Sequence, residues 1–338
     1  MPRSGILNPD SRSPYLMMPI LQIENLSTHF ETARGTVRAV DEVDIRLNEG
    51  DTLGIAGESG CGKTVLALSV MRLIPRPPGR IVSGRILFEG EDLLKLSDEE
   101  MRGIRGKRIS MIFQEPMTSL NPVFRVGDQV AEVMQLHEGL SARDANDRAV
   151  EMLRLVGIPE AEMRARDYPH QMSGGMRQRV MIAMALSCRP RLMLADEPTT
   201  ALDVTIQAQI LDLIQDLKRE VGTSVVLITH DLGVIAEAAQ YAAIMYAGWV
   251  VEQGSVEAIF SKPLHPYTVG LLNSIPRIGS SSRGGYLNVI PGTVPDLLEI
   301  PSGCKFRDRC PKVMPVCIEK PAILEKTPGH SVRCWLWA

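Results

Sequence analysis

Hydrophobic and polar residues alternate near the start of the chain and then give way to continuous apolar runs. Residues 20–48 alternate, as in Leu21-Gln22-Ile23-Glu24, which predicts strands with one buried face. Arg34-Gly35-Thr36 interrupts the alternation and predicts a hairpin turn. A further strand is predicted over residues 83–90. Together these segments predict an antiparallel β layer.

The continuous apolar runs predict the buried parallel strands of an α/β core. They cover residues 51–56, 109–113, 192–195 and 224–229. The pattern of residues 206–220 predicts a helix between the last two runs, which completes a βαβ crossover. Helix starts are indicated by the capping-box patterns at Ser97 and Ser141, and a helical subdomain is predicted over about 115–185.

Composition narrows the class of protein. The chain has 338 residues, 44% of them hydrophobic, and a formal net charge of -3. This charge, with only 4% aromatic residues, argues against a nucleic-acid partner. No apolar run reaches the ~18–20 residues that span a bilayer, so a membrane connection is expected to go through a partner.

The chain divides into three predicted parts. Residues 1–19 begin with a polar, proline-containing stretch that lacks the apolar centre of a signal peptide, and they predict a disordered tail. Residues 20–262 carry the α/β pattern and predict the main domain. From residue 263 the chain becomes rich in proline, glycine and serine, which predicts a separate C-terminal region over 263–338.

One stretch after the first apolar run fits the phosphate-binding pattern G-x-x-x-x-G-K-[ST]. It consists of Gly57, Glu58, Ser59, Gly60, Cys61, Gly62, Lys63 and Thr64. Its glycines allow a tight turn that points successive N–H groups at phosphate oxygens. Lys63 is placed to reach the β- and γ-phosphates, and the Thr64 hydroxyl to ligate Mg²⁺. A predicted strand before it and a helix after it favour a nucleotide site.

Polar residues follow three of the apolar runs, where parallel strands present their carboxyl ends to a ligand. Asp196 is predicted to hold Mg²⁺ and Glu197 to accept a proton from the attacking water. His230 is predicted to contact the γ-phosphate. Gln114 is expected to reach Mg²⁺ or the water. The residues therefore indicate a nucleotide-hydrolysing site.

With two further motifs, the set resembles the ATP-binding subunit of an ABC transporter. Ser173-Gly174-Gly175-Met176-Arg177-Gln178-Arg179 is similar to the family's signature motif, and Ala201-Leu202-Asp203 to its D-loop. Gln114 matches the Q-loop glutamine and His230 the switch histidine. Met176 departs from the usual glutamine, which removes a polar side chain but keeps the backbone donors.

The resemblance implies a fold and a set of roles. The fold is a P-loop NTPase core of the ABC type, with a mixed sheet, an antiparallel β layer and a helical subdomain, followed by a small cysteine-rich C-terminal region. Two subunits pair head to tail, so that Ser173, Gly174, Gly175 and Asp203 act on the partner's ATP. Glu197, His230 and Gln114 are the implied catalytic residues, and Thr64, Gln114 and Asp196 hold Mg²⁺. Phe30 is implied to stack on adenine, although a β-layer core role fits it nearly as well.

Three further stretches resemble the dipeptide/oligopeptide/nickel importer group, closest to the first ATPase subunit of peptide permeases. They are residues 114–122, 168–172 and 264–268. The resemblance implies a second ATPase subunit, two membrane permeases and an extracytoplasmic solute-binding protein. It places the chain at the cytoplasmic face of the cell membrane, where the segment after Gln114 receives the permease.

Four cysteines lie close to the C-terminus in a region with little core-forming sequence, at positions 304, 310, 317 and 334. Without an export signal, disulfides are disfavoured and metal ligation by Cys304, Cys310, Cys317 and Cys334 is the better interpretation. Some members of the resembling group hold a [4Fe–4S] cluster on cysteines in this arrangement. Zinc and free thiols stay open as alternatives.

The leading hypothesis is an ATPase that powers peptide import. Nickel, glutathione or another small solute is the alternative cargo, because this subunit does not touch the cargo. An ABC ATPase of DNA repair or translation is disfavoured, since the chain has neither a coiled-coil insertion nor a second cassette. A non-catalytic module is disfavoured by the intact Lys63, Asp196, Glu197 and His230.

Overall fold

Two β-sheets and their covering helices make up the computed structural model, which describes residues 18–114, 119–200, 202–275 and 289–338. Within these ranges the strands are β1 (Leu21–Thr32), β2 (Gly35–Leu47), β3 (Thr52–Ala56), β4 (Gly79–Phe88), β5 (Glu91–Asp92), β6 (Ile109–Ile112), β7 (Leu192–Asp196), β8 (Ser224–Thr229), β9 (Tyr241–Tyr246), β10 (Trp249–Ser255), β11 (Ile323–Thr327) and β12 (His330–Arg333). The helices there are α1 (Lys63–Val70), α2 (Asp98–Ile104), α3 (Val126–Glu138), α4 (Ala142–Leu155), α5 (Ala161–Arg164), α6 (Gly174–Leu186), α7 (Val204–Val221), α8 (Leu232–Ala238), α9 (Val256–Ser261) and α10 (Pro266–Asn273).

The predicted antiparallel layer is confirmed. Its described strands lie in the order β2-β1-β4-β5, and β1 and β2 form the predicted hairpin, with Thr32 opposite Gly35. Alternate side chains of β1, such as Leu21 and Ile23, are buried, because successive residues of a strand point to opposite faces of the sheet.

The predicted parallel core is also confirmed, within a larger mixed sheet. Its described strands lie in the order β11-β12-β10-β9-β3-β8-β7-β6. Strands β6, β7, β8, β3 and β9 run parallel to one another. All residues of β3, β7 and β8 are buried, as expected for strands covered on both faces.

The register brings the carboxyl ends of the parallel strands to one edge of the sheet. Ala56 pairs with Thr229, Asp196 with Ile228 and Ile112 with Ala195. The phosphate loop follows β3, Glu197 follows β7, and His230 follows β8. The fold therefore gathers the residues that the sequence spreads over more than 170 positions.

Helices α3 to α6 share one apolar cluster with a face of the core sheet, and it includes Val130, Leu153, Met193 and Ala195. The predicted caps start two helices. Ser97 Oγ accepts from Glu100 N at 3.2 Å, and Glu100 Oε2 accepts from Ser97 N at 2.7 Å. Ser141 Oγ accepts from Asp144 N at 3.2 Å at the start of α4 and donates to the Asp144 carboxylate. Local hydrogen bonds of this kind are readable from sequence because they need only neighbouring residues.

The C-terminal residues extend the core sheet. Strand β12 pairs with β10 through Ser331 opposite Gln253 and Val332 opposite Glu252. The buried Glu252 accepts hydrogen bonds from the backbone of Leu264 and His265, and its Oε1 lies 2.8 Å from His330 Nε2. The boundaries predicted at residues 19, 115, 185 and 263 stay predictions. No helix in the described ranges is both long and apolar enough to span a membrane.

Candidate nucleotide-hydrolysis site

The phosphate loop needs glycine at two of its positions. A Cβ on Gly57 would lie 2.2 Å from Met245 O, and one on Gly62 would lie 2.0 Å from Ala39 O. Both residues have positive φ, at 157° and 103°, which side-chain-bearing residues rarely adopt. The loop is thus shaped by backbone packing against β9 and β2 before any ligand binds.

Lys63 begins α1 and its side chain folds back over the loop. Its Nζ donates to Gly57 O at 2.8 Å and to Glu58 O at 3.1 Å, and the residue is only 5% exposed. The ammonium group therefore lies within the concavity formed by the loop. A phosphate there would meet both this charge and the N terminus of α1.

Asp196 ends β7 as a buried carboxylate whose oxygens lack partners. The residue is 1% exposed, and neither Oδ1 nor Oδ2 has a hydrogen-bond partner of good geometry in the described chain. Burial raises the pKa of Asp196, and the neighbouring Thr64 hydroxyl and Lys63 only partly oppose this. Two unsatisfied carboxylate oxygens beside the Thr64 hydroxyl fit a hydrated Mg²⁺, which prefers oxygen ligands.

Glu197 is the point where three side chains meet. Its Oε2 accepts from Thr200 Oγ1 at 2.7 Å and from Gln114 Nε2 at 3.4 Å, and it lies 3.3 Å from His230 Nδ1. The backbone of Glu197 has a φ of 45° and donates to Ile228 O. The structure thus brings together the three predicted catalytic residues and holds the carboxylate in one orientation.

The signature and D-loop residues form a second group at the starts of α6 and α7. Ser173 Oγ accepts from Met176 N at 3.3 Å, and Asp203 Oδ1 accepts from Ile206 N at 2.9 Å, so both residues are helix caps. A Cβ on Gly175 would lie 3.1 Å from Ile206, which places the two helix starts side by side. Because Ser173 Oγ is the acceptor in this cap, the hydroxyl can still donate its proton to another group.

Phe30 lies on β1, half-buried, with Val37 and Gly79 as its register partners. A Cβ on Gly79 would lie 2.8 Å from the Phe30 ring, so the ring packs closely within the β layer. The adenine-stacking role of Phe30 stays a prediction beside this packing role.

Sequence reasoning missed three residues of this region: Thr200, Tyr267 and Arg309. Thr200 is close to Glu197 in sequence, but a lone threonine carries no pattern. Tyr267 belongs to the stretch 264–268 that resembled peptide-transporter subunits, and its Oη accepts from Glu58 N at 2.9 Å. Arg309 pairs with the Glu58 carboxylate from 251 residues away, and no local pattern indicates such a contact.

The C-terminal cysteines do not support the predicted metal centre. Cys304, Cys310, Cys317 and Cys334 are all free thiols. Burial raises the pKa of Cys304 to about 11, and the other three cysteines add to this effect. In the described part of the chain, no group of three or more His, Cys, Asp or Glu side chains is arranged to hold a metal ion.

Some predictions fall outside the described residues. They are the tail over 1–17, residues 115–118 of the segment after Gln114, and Ala201 of the D-loop motif.

Two family models match the chain. The model described as "ABC transporter" matches residues 40–200, which include the phosphate loop, Gln114, the signature motif and Glu197. The model described as "Oligopeptide/dipeptide transporter, C-terminal region" matches residues 251–317. The second match covers Tyr267 and Arg309, which both contact Glu58.

Curated relatives and solved structures agree with these matches. A probable peptide ABC transporter ATP-binding protein, y4tR of Sinorhizobium fredii, is 54% identical over 94% of both chains. The dipeptide transport ATP-binding protein DppD of Bacillus subtilis is 52% identical over 95% of both chains. The oligopeptide transport ATP-binding protein OppD of the same organism is 52% identical over 94% of this chain and 88% of its own.

Among solved structures, the ATP-binding cassette MJ0796, a dimer in a post-hydrolysis state with ADP and Pi, superposes with a TM-score of 0.63. It is 28% identical, and the match covers 70% of this chain and 98% of that one. The transporter component cbiO1 of Clostridium perfringens gives a TM-score of 0.60 at 26% identity, over 72% of this chain and 91% of its own. The buried Asp196, the converging Glu197 site and these likenesses lead to one conclusion: the chain belongs to the ATP-binding proteins of ABC transporters, in the oligopeptide/dipeptide group.

Proposed function

We propose that this chain binds and hydrolyses ATP to power the import of di- and oligopeptides. The observation that carries the proposal is the convergence of Gln114, Thr200 and His230 on one oxygen of Glu197, at the sheet edge that also carries the phosphate loop. A carboxylate whose orientation is fixed by three groups can be aimed at the water molecule from which it accepts a proton.

The residues around Glu197 divide the chemistry between them. Lys63 and the N terminus of α1 bind the phosphates and offset their charge. Thr64, Gln114 and Asp196 would hold Mg²⁺, which supplies charge to the phosphate oxygens. Glu197 orients the attacking water and accepts its proton, while His230 holds the Glu197 carboxylate and donates to the γ-phosphate.

The paired arrangement is part of the proposal. MJ0796, which shares this fold, is a dimer with ADP and Pi. Ser173, Gly174, Gly175 and Asp203 lie together at two helix starts, where free N–H groups suit an anion. We infer that these residues complete the ATP site of a partner ATPase subunit, whose own signature completes this one.

We infer the cargo and the membrane partners from the relatives. Proteins named for peptide, dipeptide and oligopeptide transport match this chain over nearly its full length. We infer two permease subunits, a solute-binding protein on the far side of the membrane, and a position on the cytoplasmic face of the cell membrane. The match over residues 251–317 favours peptides over nickel or glutathione, and a transport role over DNA repair or translation.

A [4Fe–4S] cluster on the four C-terminal cysteines stays a prediction from resemblance. Its support is proximity alone: Cys310, Cys317 and Cys334 lie near enough to Cys304 for their charges to raise its pKa. Iron and acid-labile sulfide in an anaerobic preparation would support it, and a preparation without either would contradict it.

The Glu197→Gln substitution tests the proposed hydrolysis. Glutamine keeps the size of the side chain but cannot accept the proton, so the assembled transporter should bind ATP and hydrolyse it about 10²–10⁴-fold more slowly. Turnover is measured by phosphate release in vesicles, with peptide uptake measured in parallel. Glu257→Gln, on the short helix α9, is the matched control.

Turnover of the Glu197→Gln transporter at the wild-type rate would contradict the role of Glu197. Wild-type transporter that hydrolyses ATP without moving peptides, but moves nickel or glutathione, would contradict the cargo alone.

A further inference from the structure

Glu58, the second residue of the phosphate loop, is held by two residues from the C-terminal part of the chain. Its carboxylate forms a two-bond pair with the Arg309 guanidinium, Nη1 to Oε2 at 2.7 Å and Nη2 to Oε1 at 3.0 Å. Its backbone N–H donates to Tyr267 Oη at 2.9 Å. Residues 267 and 309 lie outside the range that matches the ABC transporter model, so the loop is braced by residues from beyond the cassette match.

Arg309 is itself fixed in place. Its Nε donates to Pro291 O at 2.9 Å and its Nη2 to Gly292 O at 3.3 Å. The guanidinium also lies 5.7 Å from the centre of the Tyr246 ring. The Arg309 side chain is 7% exposed and that of Glu58 30% exposed. A bidentate pair with a buried, anchored arginine has a defined geometry, unlike a surface ion pair.

The same C-terminal segment lies beside the catalytic residues. Residues 292–294 line a cavity of about 460 Å³ together with residues 56–59 of the loop region and His230. The anchor of Arg309 at Gly292 O is therefore part of the wall that surrounds the phosphate loop.

The negative charge of Glu58 explains how its pair with Arg309 can affect nucleotide binding. A carboxylate next to Gly57 stands in the loop that receives a polyanion, and an unpaired one would repel it. Lys63 Nζ contacts the carbonyl oxygens of Gly57 and Glu58, so the phosphates would bind close to Glu58. An adjacent cation that neutralises Glu58 removes this repulsion.

We propose that Arg309 is a positioning residue for ATP: it neutralises Glu58 and fixes the phosphate loop, so that the C-terminal region sets the affinity for ATP. This inference rests on the proposed function, since it requires that the loop binds a nucleotide. It assigns the C-terminal region a direct part in the ATP site.

The test compares single and double charge removals in the full-length chain, with ATP and ADP affinity measured by calorimetry at low salt. Arg309→Gln leaves Glu58 unpaired and should weaken ATP binding about tenfold and ADP binding less, because the repulsion grows with phosphate charge. Glu58→Gln leaves Arg309 unpaired and should strengthen ATP binding about threefold. The double variant should recover most of the tenfold loss.

Two controls separate charge from structural damage. Arg307→Gln removes the same charge from the same turn, where Arg307 binds Ser302 and not the loop, and it should bind ATP as the wild type does. Raising the salt concentration should shrink the Arg309→Gln defect, because screening weakens charge repulsion. Arg309→Lys keeps the positive charge but cannot form the two-bond pair, and its affinity for ATP should fall only about threefold.

Whether each substitution strengthens or weakens ATP binding decides between the proposal and a merely structural pair. If Glu58→Gln and Arg309→Gln both weaken binding and the double variant is not improved, the pair is merely structural and the proposal is wrong. If Arg309→Gln does not fold, Glu58→Gln and Arg309→Lys carry the same test, and a Glu58→Gln variant that weakens binding overturns the proposal. A wild-type chain that binds no nucleotide overturns the proposed function itself.

Discussion

At the scale of single residues, Asp196 lowers the stability of the fold at a position that suits the proposed Mg²⁺ site. Both of its carboxylate oxygens are buried without a partner of good geometry in the described chain, and burial raises the pKa of this group. A buried unpaired acceptor costs about 1–3 kcal/mol. The residue therefore destabilises the metal-free chain, while its two oxygens suit the Mg²⁺ that we propose.

Asp196→Asn removes a buried negative charge, so it should stabilise the metal-free chain at neutral pH and abolish Mg²⁺-dependent ATP hydrolysis. Because the pKa is raised in the folded state, the cost of Asp196 is absent at acid pH and grows as the pH rises above the ordinary aspartate range. The gain in unfolding free energy of Asp196→Asn should accordingly be present at pH 7 and vanish at low pH. Urea unfolding at several pH values measures it.

Asp212→Asn, on the exposed side of α7, is the control and should leave both properties unchanged. A loss of stability in Asp196→Asn at neutral pH would show that the Thr64 hydroxyl and Lys63 outweigh the cost of burying the carboxylate.

The site residues that the sequence predicts are those that belong to a local pattern. The glycines, Lys63 and Thr64 are readable because the phosphate loop is contiguous. Asp196, Glu197 and His230 are readable because each follows an apolar strand, and parallel strands end at a common edge. Thr200 was missed because a hydroxyl that contacts Glu197 has no spacing rule.

At the scale of elements, the helix starts fall into two kinds. Ser97 and Ser141 follow the capping-box pattern and were predicted. Helix α10 is instead capped by His265, whose Nδ1 accepts from Tyr267 N at 3.1 Å. Histidine is not a preferred N-cap, so its pattern gave no signal. Yet this cap positions Tyr267, whose hydroxyl oxygen holds the phosphate loop at Glu58.

The His265 cap predicts an acid-sensitive helix. His265 is 1% exposed, and burial lowers its pKa to about 3. The folded state therefore stays unprotonated where the unfolded state takes up a proton, so stability is lost as the pH falls below about 6.5, by about 1.4 kcal/mol per pH unit. His265→Asn keeps a capping acceptor and should remove this part of the pH dependence.

Urea unfolding between pH 7.5 and 5.5 measures the difference between wild type and variant. His170→Asn, which replaces an exposed histidine, should leave the pH dependence of the wild type. Parallel pH profiles for wild type and His265→Asn would contradict a buried neutral histidine.

At the scale of the whole molecule, the C-terminal region is joined to the core through buried charge. Lys305 Nζ contacts Asp41 Oδ2 at 2.8 Å, donates to Ala247 O at 2.8 Å, and lies 4.4 Å from the centre of the Trp249 ring. Burial lowers the pKa of Lys305 to about 8, whereas this lysine lowers the pKa of Asp41 against the effect of burial. Both directions leave the pair ionised at neutral pH.

Lys305→Met should lower the free energy of unfolding by about 3–5 kcal/mol, because the buried Asp41 carboxylate keeps the hydrogen bond from Trp249 Nε1 but loses its salt-bridge partner. Asp41→Asn with Lys305→Met should lose less than the single variant, since the orphaned charge is gone. Lys312→Met, at an exposed position, is the control. A double variant that is less stable than Lys305→Met would contradict the ion pair as the cause.

The whole-molecule contacts are also what the sequence could not predict. Strand β12 meets β10 through two residue pairs only, which is too short for a readable alternation. Asp41 and Lys305, or Glu58 and Arg309, are more than 250 residues apart. Such pairs depend on the finished fold and not on any local periodicity.

The Glu58–Arg309 pair also bears on how the chain is made. A ribosome releases residue 58 long before residue 309, and domains form as their residues emerge. During that interval the loop has its glycines and Lys63 but lacks both Tyr267 and Arg309. The growing chain therefore carries an incomplete ATP site with an unpaired carboxylate. On the proposed role of Arg309, full affinity for ATP is reached only after residues 267 and 309 have been made and have folded.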